Sequence, residues 1–201
     1  MVNTMNSKIE KLIRQFAKLP RVGNRAAQRI VLALLQTRDG RAENLATSLL
    51  DACENVVPCA VCGCLTDKNA NACEICRDST RANGQLCIVR DMGDVWTLEK
   101  SSVFHGRYHI IGGLLSGANG VMPDDLNIAN LPNRIKDEKI TEIIFALPNT
   151  VEGKTTQHYI MSVIGDGVRF SELASGVPLG GDLDYLDDGT LSLAFGGRRD
   201  L

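Results

Sequence analysis

The most constraining feature of this 201-residue chain is a pair of Cys-x2-Cys motifs separated by ten residues. The first pair is Cys59 and Cys62, and the second pair is Cys73 and Cys76. Two thiolates at this spacing bind one cation and two such pairs complete a tetrahedron, so the pattern predicts one Zn²⁺ ion per chain. Four sulfur ligands leave no open position for water, so we expect the zinc to be structural.

The other cysteines leave some alternatives open. The pairs could be redox motifs, but redox Cys-x2-Cys pairs normally open a helix after a strand, and these lie in loop sequence. Cys64 could replace Cys62 as a ligand. Cys53 and Cys87 occupy apolar positions of a predicted helix and strand, so we expect both in the core. The N-terminus has no apolar stretch typical of a secretion signal, which favours a reducing compartment and disfavours disulfides.

Charge is distributed unevenly, although the net charge is only −2. Residues 1–58 contain nine Lys/Arg and five Asp/Glu, whereas residues 59–201 contain thirteen and nineteen. This asymmetry suggests that a polyanion would bind the N-terminal part, although a solvated Arg-rich helix face has the same composition. The longest apolar run, residues 30–35, is too short to span a bilayer, so we expect a cytoplasmic protein without membrane contact.

The N-terminal part has the pattern of helices joined by a tight turn. A Ser-x-x-Glu capping box precedes apolar residues at helical spacing, and Pro20 ends this first helix. Asn24 is the expected N-cap of a second helix. A third helix is expected over 42–53. Its inward-facing residues should be Leu45, Leu49 and Ala52.

The turn at residues 19–23, Leu-Pro-Arg-Val-Gly, is a candidate phosphate site. Backbone amides of such a turn and of the following helix start favour an anion. Arg25 and Arg29 are four residues apart, so they share one helix face and can contact further phosphates. An ordinary αα-hairpin has the same pattern. The candidate DNA-binding residues are Arg21, Gly23, Arg25 and Arg29.

After residue 83 short strands alternate with helices, which indicates an α/β domain with a mostly parallel sheet. Strands are expected at 86–89, 108–111, 140–146 and 168–173, and helices at 94–100, 130–137 and 155–164. The chain is therefore expected to be an α+β multi-module protein. Its four parts are a helix-hairpin-helix region (1–54), a four-cysteine zinc knuckle (55–80), the α/β domain (84–179) and a C-terminal tail (180–201).

The α/β domain matches two kinds of enzyme poorly. One loop resembles a P-loop, but Pro148 stands where the first glycine is needed. A magnesium-dependent Toprim site needs converging carboxylates at strand ends. Arg90 and Asn149 occupy those positions, and only Asp91 and Glu152 remain. We do not expect catalysis, and the alternative is a Mg²⁺-dependent Toprim nuclease or strand-passing enzyme.

Several motifs occur together in one order. They are Leu-Pro-x-Val-Gly (19–23), the four-cysteine knuckle, Gly-Arg-Tyr (106–108), Thr-Val-Glu-Gly (150–153) and Val-Pro-Leu-Gly-Gly-Asp-Leu (177–183). This order closely resembles the RecR family of bacterial recombination proteins, from about residue 7 to residue 199. The resemblance implies a Toprim fold for the α/β domain.

The resemblance also implies a non-enzymatic, DNA-binding recombination mediator in DNA repair. Members act with RecO, and in some settings RecF, to load RecA on gapped DNA coated by SSB. They form ring-like clamps, typically homotetramers. By position, Arg25 and Arg29 match the family's DNA contacts, the four cysteines match its zinc ligands, and Glu152 matches a Toprim glutamate in the region that contacts RecO.

The chain departs from the family pattern at four places. Arg21 replaces the usual hairpin glycine, and a positive φ there would be strained for arginine. Arg90 stands where a Glu normally ends the first Toprim strand, Pro148-Asn149 reverses the usual order, and Lys154 replaces a common Glu. We expect Arg90 and Lys154 to make the partner face less acidic and to weaken any metal role.

Overall fold

The computed structural model describes most of the chain. The described residues are 7–174, 176–177, 180 and 182–197. Three residues of the motif at 177–183, namely Pro178, Leu179 and Gly181, lie outside them. The chain divides into two compact units, Met1–Val56 and Val57–Leu201. None of the helices in the described part is long and apolar enough to cross a membrane.

The first unit consists of three helices. These are α1 (Ser7–Phe16), α2 (Asn24–Gln36) and α3 (Arg41–Asn55). Helices α1 and α2 pack against each other, and Ala27 and Val31 of α2 are fully buried. The N-cap of α2 is Gly23 rather than the expected Asn24, and no side chain caps the helix start.

Helix α3 differs from its expected packing. Leu45 is 50% exposed and Leu49 is 62% exposed, so the prediction that they face inward is wrong, and Ala52 is exposed as well. Cys53 is also exposed rather than part of the core. The reason is that α1 and α2 cover each other, whereas α3 meets α2 only sparsely. The amphipathic pattern of α3 therefore faces outward.

The second unit is built on a four-stranded sheet. Its strands are β3 (Gln85–Val89), β4 (Arg107–Ile110), β5 (Glu142–Ala146) and β6 (Arg169–Glu172), and they lie in the order β4-β3-β5-β6. Each neighbouring pair is parallel, so the predicted parallel sheet is confirmed. The helices are α5 (Met92–Ser101), α6 (Leu131–Asp137), α7 (Val151–Ile164) and α8 (Asp188–Gly196). The sequence had suggested only a Gly/Asp-rich tail where α8 lies.

Side chains of β3 alternate between two hydrophobic cores, as the period of a strand requires. Leu86 and Ile88 join one core with residues of β5, α6 and α7. Cys87 and Val89 join the other core, which contains the cysteines of the knuckle. Cys87 is 2% exposed, so its predicted place in the core is confirmed. The knuckle therefore shares a core with the sheet.

A buried polar network lies beside β4. His109 Nε2 lies 2.6 Å from the carbonyl oxygen of Asn127, and His109 Nδ1 lies 3.0 Å from Arg134 Nη1. Glu138 receives hydrogen bonds from Arg134 Nε at 2.8 Å and Arg107 Nη1 at 2.9 Å. Burial lowers the pKa of His109 to about 4. The histidine is therefore neutral in the fold, donating through Nε2 and accepting from Arg134.

This shifted pKa predicts a loss of stability in acid. The unfolded chain binds the proton first, so the free energy of unfolding should fall as the pH drops from about 6.5 towards about 4, by roughly 3 kcal/mol. His109→Gln should flatten this part of the pH dependence in urea unfolding experiments. His158→Gln removes an exposed histidine and should leave the wild-type dependence. Identical pH dependence in His109→Gln and wild type would contradict the network's role.

Candidate metal and nucleic-acid sites

The four predicted zinc ligands lie together. The sulfur atoms of Cys59, Cys62, Cys73 and Cys76 lie within 4.8 Å of one another, and those of Cys62 and Cys73 are 3.5 Å apart. Two short strands, β1 (Val56–Pro58) and β2 (Leu65–Asp67), flank the first pair, and α4 (Glu74–Arg77) begins after Cys73. None of these three elements was expected from sequence. The spacing and burial fit one tetrahedral thiolate site.

Backbone amides support the sulfur atoms. The amide of Cys64 donates to Cys62 Sγ at 3.4 Å, and the amide of Cys73 donates to Cys59 Sγ at 3.4 Å. Gly63 takes a positive φ of 80° in the tight turn between them. Hydrogen bonds from the thiols of Cys62 and Cys64 lower the pKa of Cys73 well below its usual value. Hydrogen bonds among the same thiols raise the pKa values of Cys62 and Cys76, so the cluster by itself favours the thiolate form at Cys73 only.

The knuckle is attached to the edge strand β4 of the sheet. The amide of Ile110, at the end of edge strand β4, donates to the carbonyl of Cys62 at 2.8 Å. A side chain at Gly63 would meet the Ile110 carbonyl oxygen at 3.1 Å, so this close approach needs glycine. Arg81 adds a second attachment through paired hydrogen bonds to Glu99. The cysteine cluster is therefore attached to β4, and Arg81 beside it is attached to α5.

The hairpin turn of the first unit has an unusual backbone. The amide of Val22 donates to the carbonyl of Leu19 at 3.1 Å, with Pro20 second in the turn and Arg21 third. Arg21 has a positive φ of 63°, so the turn keeps the backbone of the glycine-containing hairpin even though arginine is strained there. This is the pattern of a type II turn, which normally places glycine at that position. An arginine there strains the turn.

Positive charge and free backbone amides meet at the start of α2. Arg21, Arg25 and Arg29 are exposed, and none of their side chains has a hydrogen bond or ion pair with another described residue. The first turn of α2 contains no acidic residue. Gly23 has an ordinary φ of −80°, and a Cβ there would meet nothing within 4 Å. Open space therefore lies beside amides and cations, which suits an anion.

The strained turn predicts a stabilising substitution. Arg21→Gly should raise the free energy of unfolding by about 0.5–1 kcal/mol, because glycine tolerates positive φ and loses only part of that gain to its unfolded-state entropy. Urea unfolding followed by helical circular dichroism measures the change. Arg25→Gly, at a regular helical position, should instead destabilise by up to about 1 kcal/mol. Equal destabilisation by both substitutions would contradict a strained turn.

The Toprim strand ends hold few free carboxylates. Asp91 caps α5 by accepting hydrogen bonds from the amides of Gly93 and Asp94, and it pairs with Arg90 at 2.9 Å. Lys154 pairs with Glu172. The Arg90 and Lys154 side chains therefore each neutralise a neighbouring carboxylate. Within the described part of the chain, the four cysteines form the only group of three or more ligand side chains close enough for a metal.

Glu152 lies on an exposed surface at the start of α7. Thr150 caps this helix by accepting from the amide of Gly153 at 3.2 Å. A Cβ on Gly153 would lie 1.9 Å from the Pro148 carbonyl oxygen, so glycine is required where α7 meets this loop. Val151 is 81% exposed beside Glu152. Val151 was not among the residues predicted for this site, although its place directly after the helix cap Thr150 indicates an exposed position.

Comparison with known proteins agrees with the motif order. Family models match residues 9–53 (RecR, helix-hairpin-helix), 84–174 (Toprim domain) and 176–199 (RecR, C-terminal). The recombination protein RecR of Cereibacter sphaeroides is 48% identical over 192 residues, covering 95% of this chain and 96% of the relative. The chain belongs to the RecR family of recombination proteins. The resemblance and the Toprim fold inferred from sequence are thereby confirmed.

Two further relatives show the same coverage. Recombination protein RecR of Paracoccus denitrificans is 48% identical over 194 residues, 96% of each chain. That of a Ruegeria species is 44% identical over 196 residues, 98% of each chain. RecR family membership therefore extends over both units. It supports a role in recombination and repair.

Proposed function

We propose that this protein is a non-enzymatic recombination mediator of the cytoplasm. It binds DNA and acts with RecO, and in some settings RecF, to load RecA on gapped DNA coated by SSB. The observation that carries the DNA contact is the uncapped start of α2, where three arginines lack partners among the described residues. RecR family membership supports the recombination role.

The DNA contact is to the sugar-phosphate backbone. Amides of the hairpin turn and of the α2 start bind one phosphate in the space beside Gly23, and the arginines contact phosphates on either side. Such contacts carry no base information, so binding is not sequence-specific and includes both double-stranded and gapped DNA. In this division of labour residues 1–54 contact DNA and residues 84–179 contact the protein partner.

The side chains at the ends of the strands support the proposal that the protein is not an enzyme. A Toprim enzyme needs several carboxylates converging on Mg²⁺. Asp91 is engaged as a helix cap and ion-pair partner, and Arg90 occupies the position before it. Glu152 is exposed and has no neighbouring carboxylate that completes a metal site within the described residues. The arrangement therefore supports binding rather than phosphodiester cleavage.

The cysteine cluster is proposed to hold one structural Zn²⁺ ion. Four buried or half-buried sulfur atoms suit zinc in both softness and tetrahedral geometry. The ion would tie the β1–β2 strands to α4 and hold the knuckle against Ile110. Because no ligand position is left for substrate, zinc supplies folding free energy and no chemical step.

The RecO contact is proposed at the start of α7. Glu152 offers an exposed charge, and exposed Val151 and Met122 line a shallow groove of about 340 Å³ next to it. An apolar groove with a charge at its rim is a common recognition surface. Arg90 and Lys154 each neutralise a carboxylate, so this face attracts a basic partner less strongly than an all-acidic one would.

Exposed apolar side chains in the first unit support the proposal that the protein assembles into a homotetrameric ring. Leu45, Leu49 and Leu50 of α3 are all at least half exposed, and Ile30 and Leu35 of α2 are partly exposed. Exposed apolar side chains at this density are unusual for a monomer and favour burial against a second copy. A clamp built from such copies would place several hairpins on one DNA molecule.

The DNA contact is tested by a salt series. Arg25→Gln/Arg29→Gln should weaken binding to gapped DNA and reduce the slope of log affinity against log salt by about 1.5–2, because two phosphate contacts are lost. Fluorescence anisotropy measures both quantities. Lys68→Gln/Lys100→Gln removes the same charge from exposed positions of the second unit and should preserve the slope. An unchanged slope in the arginine variant would refute the proposed contact.

Assembly is tested at α3. Leu49→Asp places a charge on the exposed apolar face and should lower the molar mass in size-exclusion chromatography with light scattering, because burying that charge is costly. Val103→Asp changes an equally exposed position outside this face and should retain the wild-type mass. Circular dichroism checks that the helices persist. Equal masses for the two variants would contradict an interface at α3.

A further inference from the structure

The knuckle contains one thiol more than a tetrahedral ion can bind. Cys64 is 1% exposed and belongs to the same buried cluster as Cys59, Cys62 and Cys73. Its thiol interacts with the thiols of Cys62 and Cys73. A buried thiol that packs against the four predicted ligands, but lies outside the group of sulfur atoms within 4.8 Å of one another, requires an explanation.

The backbone holds Cys64 in the same turn as the first ligand pair. Its carbonyl accepts the amide of Cys59 at 2.7 Å, while the amide of Gly63 donates to the Cys59 carbonyl at 2.9 Å. Its own amide donates to Cys62 Sγ at 3.4 Å. These hydrogen bonds hold the backbone of Cys64 next to the first ligand pair.

The spacing between Cys59 and Cys64 also suits a pair of zinc ligands. Zinc pairs commonly have two to four intervening residues, and four residues separate Cys59 from Cys64. The remaining cysteines do not qualify, because Cys53 is exposed on α3 and Cys87 has no interaction with another cysteine thiol. Cys64 is therefore the one further thiol with the position and the spacing of a ligand.

We propose that Cys64 is a reserve zinc ligand that replaces Cys62. The site then exists in two forms, which share Cys59, Cys73 and Cys76 and differ only in the fourth sulfur. Only one of the two binds at a time, since a fifth thiolate would add negative charge to an already anionic buried centre. The proposal rests on the zinc site proposed above.

The experiment compares cysteine-to-serine variants of the full chain. Each is purified in reductant, and zinc per chain is measured by elemental analysis alongside the thermal unfolding midpoint. The variants are Cys62→Ser, Cys64→Ser, Cys73→Ser and Cys62→Ser/Cys64→Ser. Refolding the same chains with Co²⁺ adds a spectrum that distinguishes four-sulfur from three-sulfur coordination.

We expect one zinc per chain in wild type, Cys64→Ser and Cys62→Ser, with a four-sulfur cobalt spectrum for Cys62→Ser. The double variant and Cys73→Ser should lose the metal and unfold at lower temperature. Loss of zinc in Cys62→Ser to the same extent as in the double variant, or its failure to fold, would overturn the reserve role. Wild type without bound zinc would instead refute the zinc assignment itself.

Discussion

The cysteine knuckle is joined to the sheet of the second unit by the hydrogen bond from the amide of Ile110 to the carbonyl of Cys62. This bond joins a short segment with no core of its own to the edge strand of the sheet, and the cysteines then share a core with Val89 and Tyr108. An unpaired sheet edge is an aggregation risk, and the knuckle covers part of it. A metal bound by the four cysteines would therefore act on the whole Toprim unit through this contact.

The cysteine site and the hairpin site differ in how far their side chains are buried and in what holds them in place. In the knuckle the sulfur atoms are buried and held by backbone amides, so this site contributes stability. At the hairpin the arginines are exposed and the helix start has no side-chain cap, and these are the features on which the proposed DNA contact rests. Arg21 connects stability with binding, because its positive φ strains the turn while its charge faces solvent. Strain of this kind commonly marks functional turns.

The features that could be predicted from sequence are those set by the spacing of residues close together in the chain. The cysteine pairs and the parallel strands follow from short patterns whose geometry is fixed within a few residues, whereas the sequence left open whether Arg21 would take a positive φ. The outward face of α3 could not be predicted, because amphipathicity indicates that Leu49 needs a cover but not which surface provides it. The burial of Cys64 was equally inaccessible, since it depends on how the turn at Gly63 packs on Ile110. The cap at Gly23 was missed because Asn24 has the stronger capping propensity.

The central claim is that this RecR family member binds DNA without cutting it. The most direct measurement incubates the full chain with circular gapped DNA and intact supercoiled DNA in Mg²⁺, then resolves bound complexes and deproteinised DNA on parallel gels. The account predicts retarded complexes at low salt and DNA that is fully intact after the protein is removed. Nicks that a chelator prevents, and that Asp91→Asn or Glu152→Gln abolishes, would contradict it.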